Sequence, residues 1–110
     1  KDKTLVFDEV DAGIGGRVAE AVGKRLREIS AGNQVLCVTH LPQIAAFARN
    51  HFRVHKEVAA GRTETFVKRL SESERIHELS RMLGGEAITE TTRRYAMEML
   101  KRSAAAGVKA

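Results

Sequence analysis

The sequence predicts an α/β fold built on one parallel β-α-β unit, with an added β-hairpin and C-terminal helices. Two short apolar runs, at 5–7 and 35–38, are typical of buried strands. Between them, apolar residues recur at helical spacing after a glycine-rich stretch. Two strands joined by a helix over this length pair in parallel with a right-handed crossover. This unit defines the core of the predicted domain.

The elements of this unit follow from local patterns. The first strand is predicted over Leu5–Asp8, and a tight loop with three glycines leads into a helix over 16–29. The predicted apolar face of that helix consists of Val18, Val22, Leu26 and Ile29. Gly32 is typical of a helix end. The single cysteine, Cys37, is interpreted as a small core residue of the second strand; one cysteine cannot form an internal disulfide, and a reducing cytoplasm is expected.

The second half begins with a short helix predicted over 41–48, with Pro42 in its first turn. Alternating residues from position 52 predict a hairpin that turns at Ala60 and Gly61, with Phe52 and Phe66 buried.

Two helices complete the prediction. A capping box over 71–74 begins one, and Thr89 caps the other, which extends to about Arg102 before a tail that frays. Their inward residues are predicted to be Ile76, Leu79 and Leu83 in the first helix, and Ala96, Met99 and Leu100 in the second.

Bulk composition restricts the class of protein. A chain of 110 residues with 43% apolar and 30% charged residues is typical of one globular domain. No apolar run approaches the roughly 18–20 residues that span a bilayer, so no membrane partner is expected. The chain begins almost on a core strand, and we expect it to be one part of a larger protein.

Acidic residues follow the first predicted strand, and a histidine follows the second. Because parallel strands end at the same edge of a sheet, Asp8, Glu9 and His40 are expected to lie together. Asp8 suits Mg²⁺, which takes one or two carboxylates. Glu9 suits the positioning of a water, and His40 suits contact with a terminal phosphate. Taken alone, a histidine after a strand also fits an ordinary hydrogen-bonded strand end.

The chain lacks the glycine-rich phosphate loop G-x-x-x-x-G-K-[ST]. This chain alone is therefore not expected to hold a nucleotide tightly.

The net charge of +5 includes a basic cluster between Arg49 and Arg69. It suggests a phosphate-backbone contact, although an ordinary solvated hairpin face explains it as well. The candidate DNA contacts are Arg53, Lys56, Arg62 and Lys68.

Two longer strings add a resemblance to a known family. The segments 5–16 (LVFDEVDAGIGG) and 35–45 (VLCVTHLPQIA) resemble the RecN family of bacterial DNA repair proteins. That family belongs with the ABC-type ATPases that are similar to structural-maintenance-of-chromosomes (SMC) proteins. The resemblance covers nearly the whole chain, from Leu5 to about Leu100.

The resemblance implies a fold and a division of roles. The chain (1–110) would be the C-terminal lobe of a P-loop ABC-type ATPase head, with the N-terminal lobe and coiled coil lying outside it. Asp8 resembles the Walker B aspartate that holds Mg²⁺ through water, Glu9 the catalytic glutamate, and His40 the switch histidine at the γ-phosphate. The head-dimer loop of the family corresponds to Asp11, Ala12, Gly13, Ile14 and Gly15.

The same resemblance implies ATP and Mg²⁺ as cofactors, and three partners: the N-terminal lobe, a second head in a homodimer, and DNA. The function expected is ATP hydrolysis in double-strand break repair by a cytoplasmic, nucleoid-associated protein. One alternative is a DNA-binding or interaction module that uses the basic 49–69 hairpin. Another is the equivalent lobe of a different ABC-type ATPase, although Val10 and Asp11 disfavour a transporter, which usually reads Asp-Glu-Pro there.

Overall fold

A parallel strand pair and an antiparallel hairpin organise the chain. The computed structural model describes residues 3–8, 13–84 and 87–108. Residues 106–108 are described by their backbone alone. The elements in chain order are β1 (Thr4–Asp8), α1 (Gly16–Ile29), β2 (Gln34–Val38), α2 (Pro42–Ala45), β3 (Phe52–Ala59), β4 (Arg62–Arg69), α3 (Glu72–Gly84) and α4 (Glu90–Val108). The predicted α/β class is confirmed.

The β1-α1-β2 unit has the predicted parallel pairing. The register runs from Thr4 opposite Gln34 to Asp8 opposite Val38. Alternate residues on one face, including Phe7, pack against a cluster centred on the buried residues of α1. The other face exposes apolar side chains: Val6 is 67% and Val38 62% exposed.

Helix α1 has the predicted bounds but a different buried face. Ala19, Gly23 and Leu26 are buried, whereas Val18 is 52% exposed. The face predicted through Val18 is therefore wrong at that end. The buried face instead includes Gly23, where the Phe47 ring occupies the space that a Cβ would need.

Helix α2 is shorter than predicted, since turns follow its last residue, Ala45. The prediction of a helix through position 48 is therefore wrong beyond 45. Even so, residues 44–47 are all buried. Burial of this segment between α1 and α3 determines its path.

The hairpin turns where predicted. Ala60 and Gly61 have φ angles of 55° and 76°, and two positive φ angles are typical of the type I′ turn that joins two twisted strands. The predicted burial of its aromatics is wrong, because Phe52 is 51% and Phe66 41% exposed. Within the described residues, β3 and β4 pair with each other alone, and β4 is exposed along its whole length.

Helices α3 and α4 form the second apolar cluster with α2. The cluster comprises Ala45, Ala46, Leu79, Ala96 and Met99, with Ile76, Met82, Leu83 and Leu100 at its margin. The predicted inward residues of both helices are confirmed.

Side-chain caps stabilise the N-terminal ends of α3 and α4. The predicted capping box is confirmed: the Ser71 N–H donates to Glu74 Oε1 at 2.8 Å, and the Glu74 N–H donates to Ser71 Oγ at 3.3 Å. The Thr92 N–H donates to Thr89 Oγ1 at 3.1 Å in the predicted cap of α4. The predicted fraying from Ser103 is wrong as far as Val108, since α4 continues there and Ser103 is buried. Alanine is the best helix former, which explains the extension.

Candidate functional site

The carboxyl edge of the β1–β2 sheet brings the first predicted site residues together. Asp8 ends β1 directly opposite Val38, which ends β2, and Thr39 and His40 follow at once. Neighbouring strands lie about 4.8 Å apart, and open α/β sheets bind ligands at this edge. The expected shared edge is confirmed for Asp8 and the segment that carries His40. Glu9 lies outside the described residues.

A local turn holds the histidine segment. The Leu41 N–H donates to Thr39 Oγ1 at 3.0 Å, which closes a tight turn around His40. The Leu41 carbonyl then accepts from the N–H groups of Ile44 and Ala45, each at 3.1 Å. His40 is therefore joined to α2 by a short, hydrogen-bonded connection. Asp8 and His40 are both exposed, so a ligand at this edge can reach them.

The described part of the loop that precedes α1, residues 13–15, shares an apolar cluster with the histidine segment. Asp11 and Ala12 lie outside the described residues, and Gly13 follows with a φ of +75°, a conformation that favours glycine. Ile14 packs in the same apolar cluster as Leu41 of the histidine segment. Gly15 precedes α1, and its carbonyl accepts from the Ala19 N–H at 2.9 Å. Ile14 and Leu41 thus pack against one common apolar cluster.

The exposed Asp8 carboxylate is the kind of oxygen donor that Mg²⁺ takes in proteins. Over residues 3–8, 13–84 and 87–108, no three His, Cys, Asp or Glu side chains are grouped so that they could hold a metal. Mg²⁺ usually keeps several waters and takes one or two carboxylates together with substrate phosphates. An exposed Asp8 carboxylate at a sheet edge fits that requirement.

The four candidate DNA contacts do not lie on one surface. Arg53 is opposite Lys68, and strand alternation places Arg62 on that same face, which lies towards α3, and Lys56 on the other. Arg53 Nε lies 3.8 Å from Glu78 Oε1 of α3. Lys68 Nζ donates to Glu74 Oε2 at 2.5 Å. Two of the four cations therefore already have carboxylate neighbours.

The sequence patterns did not single out Glu78, although it is buried in α3 beside this face. Arg81 donates to Glu78 from Nε at 3.0 Å and from Nη2 at 2.5 Å. This hydrogen bonding is the main cause that lowers the pKa of the Glu78 carboxyl below its usual range. The i,i+3 spacing of Glu78 and Arg81 on a predicted helix was the sequence signal that could have indicated this ion pair. Burial, with the Arg75 charge, lowers the pKa of the nearby His51.

Comparisons with known proteins identify the family. The chain is 48% identical over 100 residues to the DNA repair protein RecN of Bacillus subtilis (strain 168), a match that covers 91% of the chain. It is 52% identical over 97 residues to RecN of Haemophilus influenzae, which covers 88% of the chain. By sequence, the chain belongs to the RecN family. It matches a C-terminal region of these proteins and spans 17% of the length of each of the two.

A solved structure shows a related fold. It comes from work on ATP-driven dimerisation and DNA-stimulated activation of SMC ATPases, and it superposes with a TM-score of 0.58 at 19% identity. The superposition covers 76% of this chain and 50% of that one. No family model matches the chain. Among the helices of the described residues, none is long and apolar enough to cross a membrane.

Proposed function

We propose that this chain is the C-terminal lobe of an ATPase head in a RecN-type DNA repair protein. The observation that carries the proposal is the β1–β2 register, which places Asp8 beside the segment that carries His40. Support comes from the 48% identity to RecN of Bacillus subtilis. ATP hydrolysis, DNA repair and a cytoplasmic location belong to the whole protein, of which this chain would be one part.

The proposed roles follow from position and chemistry. Bound Mg²⁺ would supply a charge that neutralises the phosphates, and Asp8 would hold it, through water in part. Glu9 would accept a proton from, or orient, the attacking water. His40 would donate a hydrogen bond to the terminal phosphate as its charge grows. Support for these roles comes from Ile14, before α1, and Leu41, next to His40, which pack against the same apolar cluster.

The missing components would come from outside this chain. The phosphate loop would be supplied by an N-terminal lobe that precedes these residues in the protein. The loop from Asp11 to Gly15 would face a second head in a homodimer. DNA would be the partner of the assembled protein, since the relatives are DNA repair proteins. The carboxylate neighbours of Arg53 and Lys68 give the stand-alone DNA-binding alternative less support.

The test is ATP hydrolysis by the full-length protein with Glu9→Gln. We expect kcat to fall about 10²–10⁴-fold, the usual worth of a positioned acid–base group. ATP affinity should change little, because Glu9 would act on the water rather than the nucleotide. Glu64→Gln, the same change on the exposed hairpin, serves as the control and should leave kcat unchanged. Equal loss of binding and hydrolysis in Glu9→Gln would contradict the assigned role.

A second measurement tests the lobe assignment. This chain and a separately made N-terminal lobe are assayed for ATP hydrolysis, each alone and then mixed. Activity that appears on mixing, and is lost with Glu9→Gln, is the expected result. Bound nucleotide in a stable complex without hydrolysis would refute the division of the site between the two lobes.

A further inference from the structure

Helix α2 ends in a turn, in which the Phe47 N–H donates to the Ile44 carbonyl at 3.0 Å and the Ala48 N–H donates to the Ala45 carbonyl at 3.1 Å. It spans Pro42–Ala45 and begins two residues after His40. The last carbonyls of any helix have no intrahelical N–H to accept from, and burying them unpaired costs free energy. Residues 44–47 are buried, so water cannot satisfy all of these groups. The buried carbonyls of Ala46 and Phe47, which follow the helix, therefore take donors from neighbouring elements.

Two arginines supply these donors from opposite sides. Arg27, in the last turn of α1, donates from Nη1 to the Phe47 carbonyl at 2.8 Å. Arg75, near the start of α3, donates from Nη2 to the Ala45 carbonyl at 3.2 Å. The Ala46 carbonyl lies 3.5 Å from the same Arg75 nitrogen. Charged donors make stronger hydrogen bonds, and cations also favour the C-terminal end of a helix.

This arrangement is costly. Burial lowers the pKa of both guanidinium groups, and the charge of Arg27 lowers the pKa of Arg75 further. The Nε atoms of Arg27 and Arg75 are buried without a hydrogen-bond partner in the structure. Two like charges are thus brought to one short segment at an energetic penalty. Their hydrogen bonds to the carbonyls of residues 45–47 offset part of it.

Helix α1 also holds α2 along its length. A Cβ at Gly23 would lie 2.5 Å from Phe47 Cδ2 and 3.2 Å from the Gln43 carbonyl oxygen, so the two helices touch there. A Cβ at Gly16 would lie 3.3 Å from Gln43 Nε2. Gly16 begins α1 directly after the loop that follows β1. The path from that loop through α1 to α2 is therefore tightly packed.

We propose that Arg27 and Arg75 are positioning residues for His40. They fix the C-terminal end of α2, and the Thr39–Leu41 turn joins its N-terminal end to the histidine. This inference rests on the proposed function, in which His40 contacts the terminal phosphate. Loss of either guanidinium lets α2 shift and moves His40 away from its place at the sheet edge. A displacement of about 1 Å at a reacting group can cost about 100-fold in rate.

The experiment uses the full-length protein with Arg27→Met or Arg75→Met, which keep an unbranched apolar stem and remove the charged donor. We expect kcat for ATP to fall about 10–100-fold while the affinity for ATP stays within about threefold. Lysine at either position should restore part of kcat, because it keeps one charged donor. Arg25→Met is the matched control, since Arg25 is an exposed residue of α1 that pairs with Glu28. It should leave kcat unchanged.

Combination with His40→Ala separates positioning from general damage. If the arginines act through His40, Arg27→Met should cause no further loss in a His40→Ala background. An equal, additive loss in that background would overturn the proposal, as would an unchanged kcat in both arginine variants. If the methionine variants fail to fold, as judged by thermal melting, the lysine variants carry the same test. Their smaller loss of kcat should likewise vanish with His40→Ala.

Failure of this inference differs from failure of the proposed function. If His40→Ala and Glu9→Gln leave hydrolysis unchanged, the proposed ATPase site is wrong and the positioning role falls with it. If those two variants lose activity but the arginine variants add to His40→Ala, the ATPase site stands and the positioning role is refuted.

Discussion

The segment around α2 and the β3–β4 hairpin are neighbours in sequence but differ in packing. Residues 44–47 are all buried, held by α1 on one side and α3 on the other. Within β3 and β4, both fully described, His55 is half-buried and every other residue is exposed. The first region carries the histidine segment of the candidate site. Side chains are therefore buried between helices where α2 joins the site, whereas in the hairpin they are mostly exposed to solvent.

The largest expected difference comes from deleting an apolar side chain in each region. Leu79→Ala removes a side chain with no exposed surface from the cluster beneath α2, and should lower the free energy of unfolding by about 2–5 kcal/mol. Val58→Ala removes a side chain that is 75% exposed, and should change it by no more than about 0.5 kcal/mol. Urea unfolding of both variants measures the difference. Equal losses would show that the hairpin is packed as tightly as the core.

Sequence patterns predicted the regions in unequal detail. The bounds of α1 and the turn at Ala60–Gly61 were predictable, since helical periodicity and turn residues are local signals. The exposure of Phe52 was not predictable, because it depends on which other elements pack against the strand. The packing of Phe47 on Gly23 was also missed, since no local pattern records which helix approaches a glycine.

The candidate site was also predicted only in part, because its strand positions follow from the sequence order and its helix packing does not. Strand order alone indicated that Asp8 and the His40 segment share an edge, because parallel strands end together. The carbonyl contacts of Arg27 and Arg75 depend on how three helices meet. Charged residues on helices usually face water, so their sequence positions gave no sign of burial.

The close contact between α1 and α2 predicts an unusual response to alanine. Gly23→Ala should lower the free energy of unfolding by about 1–3 kcal/mol, because the new Cβ would overlap the Phe47 ring. Alanine normally stabilises a helix interior by about 1 kcal/mol relative to glycine, so the sign is informative. Gly32→Ala is the control, since nothing lies within 4 Å of its Cβ position. A more stable Gly23→Ala variant would mean that α2 and the segment after it move aside at little energetic cost.

Stability should depend on pH through Glu78, which accepts hydrogen bonds from Arg81 within α3 and lies near Arg53 of the hairpin. Its folded pKa lies below the unfolded value, so its contribution is present above that value of about 4.5 and is lost as pH falls further. Glu78→Gln should therefore destabilise the chain at pH 7 by about 1 kcal/mol, and less at pH 3. Thermal melting of the unchanged protein and of Glu78→Gln between pH 7 and pH 3 measures the difference in their stability. A gap that widens at low pH would contradict the ion-pair explanation.

The smallest expected effect lies within the hairpin itself. Glu57 and Glu64 are directly opposite each other, and like charges in such a pair are destabilising. Glu64→Lys should raise the free energy of unfolding by about 0.2–1 kcal/mol, since it places opposite charges across the strands. Glu90→Lys, at the start of α4, removes the same charge where an acidic residue favours the helix, and should be neutral or destabilising. If both variants gain equally, the gain comes from net charge. A gain confined to Glu64→Lys, and reduced by salt, would assign it to the cross-strand pair.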